Sequence, residues 1–181
     1  MTEKFRVKIL RPIEFEIIRN AIDPDTRRIC ASPHLTGMRY AELQRFKENP
    51  DWLDGKFVFL PKGSMLKVKA KQRERAIRLS DMGKTLLPDL FQVPNPLPEL
   101  PALDMKLRRL SKKILEGAPI NNKTFRKTWE SWLVFYYPDK SLQIALSQGH
   151  TTTTQYEHYL NIPFEDDDRK EMRKWVEGFI S

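Results

Sequence analysis

The sequence predicts a mainly α-helical domain that carries one small antiparallel β-sheet, an α+β fold. Two observations carry this. Apolar residues recur at three- and four-residue spacing in segments at both ends of the chain. Across about 56–79 the period drops to two, with Leu66, Val68 and Ala70 alternating with Lys67, Lys69 and Lys71.

The elements follow in order. Residues 12–22 read as a helix with Ile13, Ile17 and Ile18 on one side. Asp23-Pro24-Asp25 closes it and opens a second helix over 24–35, which Gly37 punctuates. A short third helix, 39–47, offers Tyr40, Leu43 and Phe46 for packing. Phe57-Val-Phe-Leu60 suits a strand, and Ile77 and Leu79 alternate with Arg78 beyond a turn at Gln72-Arg73. Helical texture returns over 81–91. Pro94, Pro96, Pro98 and Pro101 then make an extended connector. Leu103, Leu107, Leu110 and Ile114 repeat at helical spacing, and Gly117-Ala-Pro ends that helix. Residues 122–136 form the next, with Phe125, Trp129, Leu133 and Tyr136 on one face, broken by Tyr137-Pro-Asp. Short helices are expected over 139–147 and 151–160. A last one, 165–180, opens on Glu165-Asp-Asp-Asp, whose acids suit a helix N-terminus, and carries Met172, Trp175, Val176 and Phe179 as its stripe.

Composition narrows the function. The 181 residues fit one domain, and 40% apolar content is enough for a core without cross-links. Cys30 is the single cysteine, which excludes an internal disulfide and a cysteine metal cluster. Three histidines, His34, His150 and His158, make a protein-built zinc site improbable. No apolar run reaches the length of a membrane span, and the N-terminus lacks a signal-peptide core, so the expectation is a soluble intracellular protein. Seven glycines and no glycine-rich loop argue against a nucleotide-binding fold. The net charge of +8 points to a polyanionic partner. Seven cations and one acid, Glu74, lie between Lys62 and Arg78.

The chemistry lies in separated pieces. Arg39 and Glu42 stand three apart at a helix start, which alone is a surface ion pair. The basic hairpin alone is a solvated strand face. Lys123 and Arg126 share a helical face, with Glu130 four residues after Arg126. Gly149-His150 stands at a helix junction, followed by Tyr156 and Tyr159.

Taken together, Gly37-Met-Arg39-x-x-Glu42-Leu, the basic hairpin, Lys123-x-x-Arg126, and Gly149-His-Thr-Thr-Thr-Thr-Gln-Tyr-Glu-His-Tyr159 resemble the catalytic domain of the tyrosine recombinases, the phage-integrase family. The details resemble most its archaeal integrase branch, where lysine can replace the histidine ahead of the second arginine. The resemblance runs from about residue 11 to 180. It implies Arg39 and Arg126 as the two catalytic arginines, Glu42 as the supporting acid, Lys123 in the place of the first histidine, His150 as the histidine after glycine, and Tyr159 as nucleophile. The catalytic lysine is Lys69 or Lys71, and an ungapped alignment lands on Ala70 between them. Lys67, Arg73 and Arg75 are read as DNA contacts.

The resemblance implies a site-specific recombinase or integrase of a mobile element. It would act on double-stranded DNA through a covalent 3′-phosphotyrosine, with neither metal nor other cofactor. Alternatives are a type IB topoisomerase-like enzyme and a non-cutting DNA-binding protein on the same scaffold. The expected organisation over 1–181 is one catalytic domain without an N-terminal core-binding domain. It has an arm over 1–10, a core over 11–160 and a C-terminal helix over 161–181 as a candidate subunit-docking segment. A tetramer on DNA, in the cytoplasm with the nucleoid and away from membranes, completes the expectation.

Overall fold

A computed structural model describes residues 7–62, 74–117, 119–150 and 164–180. Eight helices among these residues are α1 (Pro12–Ala21), α2 (Pro24–Thr36), α3 (Tyr40–Glu48), α4 (Asp81–Leu86), α5 (Leu100–Ile114), α6 (Asn122–Tyr136), α7 (Ser141–Gln148) and α8 (Asp166–Val176). Strands β1 (Leu53–Asp54), β2 (Phe57–Leu60) and β3 (Arg75–Arg78) form an antiparallel sheet in that order. Val58 faces Ile77 and Leu60 faces Arg75. The sequence reading had no β1, because two residues are too few to show a period. Residues 63–73, with Lys67, Lys69, Lys71 and Arg73, lie outside the described residues, as does the expected helix at 151–160 with Tyr156 and Tyr159.

The local chemistry sets the helix ends. Asp23 accepts from the Thr26 amide at 3.0 Å, and Pro24 fits the first turn, where its missing N–H costs nothing. Ser80 accepts from Gly83 N at 3.1 Å to open α4. The helix expected over 81–91 stops at Leu86 and continues as a 3-10 turn over Leu87–Gln92, which contains Pro88.

Helix α6 is the centre of the core. Trp129, Trp132 and Leu133 are fully buried on it, and α2 packs along it. Phe15 and Ile18 of α1 point inward, whereas Ile13 and Ile17 are 62% and 40% exposed. This corrects the expectation that Ile13, Ile17 and Ile18 share a buried side: the stripe against the core runs through residues 15, 18 and 22. The chain entering α1 is fixed to α6, with Leu10 N donating to Thr128 Oγ1 at 3.0 Å and Trp132 Nε1 donating to Leu10 O at 2.9 Å.

The C-terminal helix also packs in cis. Met172, Trp175, Val176 and Phe179 are each 2% exposed or less within their own domain. The Tyr137 hydroxyl donates to Val176 O at 3.0 Å, and Arg169 donates to Phe135 O at 2.7 Å. Of the two roles open to this stripe, docking on a neighbouring subunit or packing in cis, the structure has it as part of this domain's core.

His34 on α2 is buried in this aromatic cluster, stacked on Phe15 at 4.0 Å with Trp132 edge-on at 4.6 Å. Burial pulls its pKa down to about 3. An unfolded chain protonates the same imidazole near 6.5. Its contribution is thus complete above about pH 6.5 and lost as pH falls towards 3, amounting to about 2 kcal/mol at pH 5. His34→Phe keeps the stacked ring and removes the titration. Urea unfolding at pH 7 and pH 5 should show a smaller acid loss in this variant than in the parent; equal losses would contradict the assignment.

Candidate active site

Four stretches of chain converge where α2 ends, α3 begins, β3 passes and α7 ends. Helix α2 stops at Gly37 in the left-handed conformation, with φ 68°. A Cβ at Gly37 would lie 1.4 Å from Gln148 Oε1, so this glycine makes room for the last side chain of α7. Helix α7 stops at Gly149, also left-handed, where a Cβ would lie 3.0 Å from Arg75 Nη1. Each helix end thus admits a polar side chain from a distant part of the chain.

Arg39 immediately precedes α3, and Glu42 sits in its first turn. The Arg39 amide donates to Glu42 Oε2 at 2.7 Å, and Arg39 Nη1 reaches Oε1 at 3.2 Å. Glu42 is fully buried, while the Arg39 side chain remains 39% exposed. Arg75 reaches the same carboxylate from β3 as a fork, Nη1 to Oε1 at 2.7 Å and Nη2 to Oε2 at 2.9 Å. Burial alone would raise the Glu42 pKa. The Arg75 hydrogen bonds and charge outweigh burial, with help from Arg39, and the net shift is downward.

Arg126 points into the same region from α6 and is 9% exposed. Its Nη2 donates to Gln148 O at 2.8 Å and lies 3.1 Å from His150 Nε2. Its Nη1 is buried and makes no hydrogen bond among the described residues. Burial lowers the Arg126 pKa to about 10 and the nearby Arg39 charge adds to this, while Glu42 and Glu130 oppose it. The group keeps its charge at neutral pH. His150 Nε2 also lies 3.3 Å from Glu130 Oε1. An unprotonated Nε2 accepts from Arg126, and a protonated one donates to Glu130, so one nitrogen has two partners of opposite charge.

The structure therefore brings together Arg39, Glu42, Arg126 and His150. Lys123 is exposed one turn before Arg126 on α6. Lys67, Lys69, Lys71, Arg73 and Tyr159 lie outside the described residues. Arg75 departs from its reading as a DNA contact. Its side chain is only 7% exposed and turned inward, with Nε donating to Ser147 O at 3.1 Å. The buried Glu42 carboxylate draws it in, a pairing across 33 residues that strand alternation cannot reveal. Gln148 and the Glu130–His150 contact were also missed as site features. The position of Gln148 directly before Gly149-His150 is the signal that could have found it.

Among the described residues, no group of three or more His, Cys, Asp or Glu could hold a metal ion. Nor is any helix among them long and apolar enough to cross a membrane. The arrangement presents two guanidiniums and an imidazole around one space. Such a set suits a phosphate or a developing oxyanion, because the guanidiniums keep their charge and their donors are fixed in advance.

No protein-family model and no curated protein matches this sequence. Solved structures do match in fold. The chain is similar to the XerA recombinase, with TM-score 0.60 and 15% identity over 96% of this chain and 65% of that one. It is similar to the Tn1549 transposon integrase in complex with transposon right-end DNA, with TM-score 0.66 and 15% identity over 96% and 68%. A third is the XerH site-specific recombinase bound to its difH substrate, with TM-score 0.61 and 16% identity over 98% and 57%. The chain thus spans 57–68% of the length of these structures. Nearly all of it, helices and small sheet together, has the fold of a tyrosine recombinase catalytic domain.

Proposed function

We propose that this domain cuts and rejoins DNA strands as a site-specific tyrosine recombinase or integrase. The observation that carries the reading is the convergence of Arg39, Arg126 and His150 around the buried Glu42, on a recombinase catalytic fold. In this reading Arg39 and Arg126 hold the non-bridging oxygens of the scissile phosphate, and the unpaired Nη1 of Arg126 is a donor reserved for it. The Tyr159 hydroxyl oxygen attacks phosphorus as its proton passes to His150. The bond to the 5′ oxygen breaks, and Lys69 or Lys71 supplies that oxygen's proton. The resulting 3′-phosphotyrosine retains the bond energy. A 5′-hydroxyl then attacks it, releases Tyr159 and reseals a strand without a nucleotide cofactor. His150 and Lys123 assist proton movement and phosphate contact.

Exchange between duplexes requires several copies, so a tetramer on DNA belongs to the proposal. The α8 stripe is already used in cis, which leaves the helix's charged outer face for contact between subunits. Lys123 ahead of Arg126 supports assigning the chain to the archaeal integrase branch, with a mobile element and the nucleoid as its setting.

The test is a nicked duplex that loses a short fragment after cleavage and so traps the covalent adduct. The wild-type chain should form a protein–DNA band that survives denaturation, with chelator in excess. A chelator-sensitive cut without an adduct would point to a metal-dependent nuclease. Relaxation of supercoiled plasmid by a single copy would favour a type IB topoisomerase. Binding should be dominated by phosphate contacts. For five to eight neutralised phosphates, the slope of log affinity against log salt should be roughly −4 to −7. Flat binding between low and moderate salt would count against a phosphate-tracking groove.

A further inference from the structure

We propose that Arg75 is a positioning residue of the cleavage site, which acts through Glu42 to hold the Arg39 guanidinium free for the scissile phosphate; the proposal rests on the recombinase reading above. The geometry is that of a shared carboxylate. Glu42 has two oxygens, and Arg75 occupies both with a fork at 2.7 and 2.9 Å. The Arg39 amide also donates to Oε2 at 2.7 Å, but its guanidinium makes the longer contact, 3.2 Å through Nη1. A carboxylate satisfied by Arg75 binds Arg39 weakly enough to orient it without capturing it. The Arg39 side chain is still 39% exposed.

The second contact of Arg75 extends the same control. Its Nε donates to Ser147 O at 3.1 Å, two residues before Gly149-His150. The neighbouring carbonyl, Gln148 O, accepts from Arg126. Gly149 leaves the space that the Arg75 guanidinium fills. One side chain thus ties the first residue of β3 to the acid beside Arg39 and to the turn beside Arg126. Lysine cannot replace it, because an ammonium lacks the planar fork that meets both oxygens.

Loss of Arg75 should therefore let Glu42 pair fully with Arg39 and compete with the phosphate. The experiment measures adduct formation by Arg75→Gln and Arg75→Lys on two nicked duplexes. One has the natural phosphate. The other has a methylphosphonate at the scissile position, which removes a non-bridging charge and with it most of the need for Arg39. On the natural phosphate Arg75→Gln should be slower by about 100-fold, the size expected when one preorganised donor is lost, and Arg75→Lys by about tenfold. On the methylphosphonate both should come within about threefold of wild type.

A variant slowed equally on both substrates would have suffered general damage to the fold, and the proposal would fail. An unchanged rate on the phosphate would also overturn it. If Arg75→Gln does not fold, as read by thermal unfolding, Arg75→Lys alone decides by the same ratio. Absence of any adduct in the wild type would reject the recombinase reading itself, and this proposal with it, a result distinct from a working wild type with indifferent variants.

Discussion

Tyr159→Phe is expected to abolish the covalent protein–DNA adduct while leaving DNA affinity nearly intact. The proposed nucleophile is one oxygen atom, and phenylalanine removes that oxygen with little change in shape. In the proposed DNA complex, affinity rests on many phosphate contacts made by lysines and arginines, none of which this substitution touches. Tyr156 is the internal control. It is six residues after His150 and Tyr159 is nine, so in a helix the two side chains would diverge by about 60°. Tyr156→Phe should still form the adduct. Adduct lost in Tyr156→Phe but kept in Tyr159→Phe would show an alignment in error by three residues. Adduct kept in both would remove both tyrosines from the mechanism.

Glu42→Ala should produce the largest loss of stability of any single polar substitution at the site. The carboxylate is fully buried and the Arg75 side chain is 7% exposed. Alanine leaves that guanidinium buried with both fork bonds broken, and leaves Arg39, Arg75 and Arg126 facing one another without the shared counter-charge. Breaking a buried pair from one side costs about 3–5 kcal/mol. For a domain of this size that corresponds to a fall in Tm of roughly 10 °C. Glu42→Gln keeps an acceptor for one arm of the fork and should lose less. Urea unfolding of both variants checks the order, and a Glu42→Ala protein as stable as its parent would contradict the burial of an intact pair. The pair also makes stability depend on pH. The carboxyl's folded pKa lies below its unfolded value, so its contribution is present above the unfolded value and disappears as acid protonates the carboxylate.

Much of the fold is written locally. Asp23-Pro24 places the break between α1 and α2 because aspartate caps and proline starts a helix. The face of α6 is legible because Phe125, Trp129 and Leu133 recur at helical spacing and all three are buried. Where the reading failed, the missing information was tertiary. Helix α1 has apolar residues around more than half its circumference, so periodicity alone could not choose Phe15 and Ile18 over Ile13 and Ile17. The α8 stripe had to be buried, but its sequence carries no mark of whether its own domain or a neighbour would bury it.

The site divides in the same way. Arg39 and Glu42 were legible as a pair because they are three apart at a helix start. The contacts of Arg126 with Gln148 and His150 join residues 22 and 24 apart, and they depend on how α7 ends against α6. Arg75 reads as a DNA contact among the cations of the basic hairpin. Its long side chain instead reaches back to a carboxylate that only the folded chain brings near.

The placement of Cys30 has a practical consequence for chemical labelling. It is the single cysteine of the chain, it lies in the middle of α2, and it is 2% exposed. Burial also raises its thiol pKa, which withholds the reactive thiolate. A maleimide or aromatic disulfide therefore meets this sulfur only in molecules whose packing around α2 has opened. The rate of modification becomes a clock for opening of the domain, readable by mass without any added probe. For the proposed DNA complex, the ratio of that rate with and without DNA would report any closing of the core on binding. A second cysteine introduced on the exposed face of α5 would react at once in the folded protein, so a fluorophore can be attached at one chosen site with Cys30 left in place.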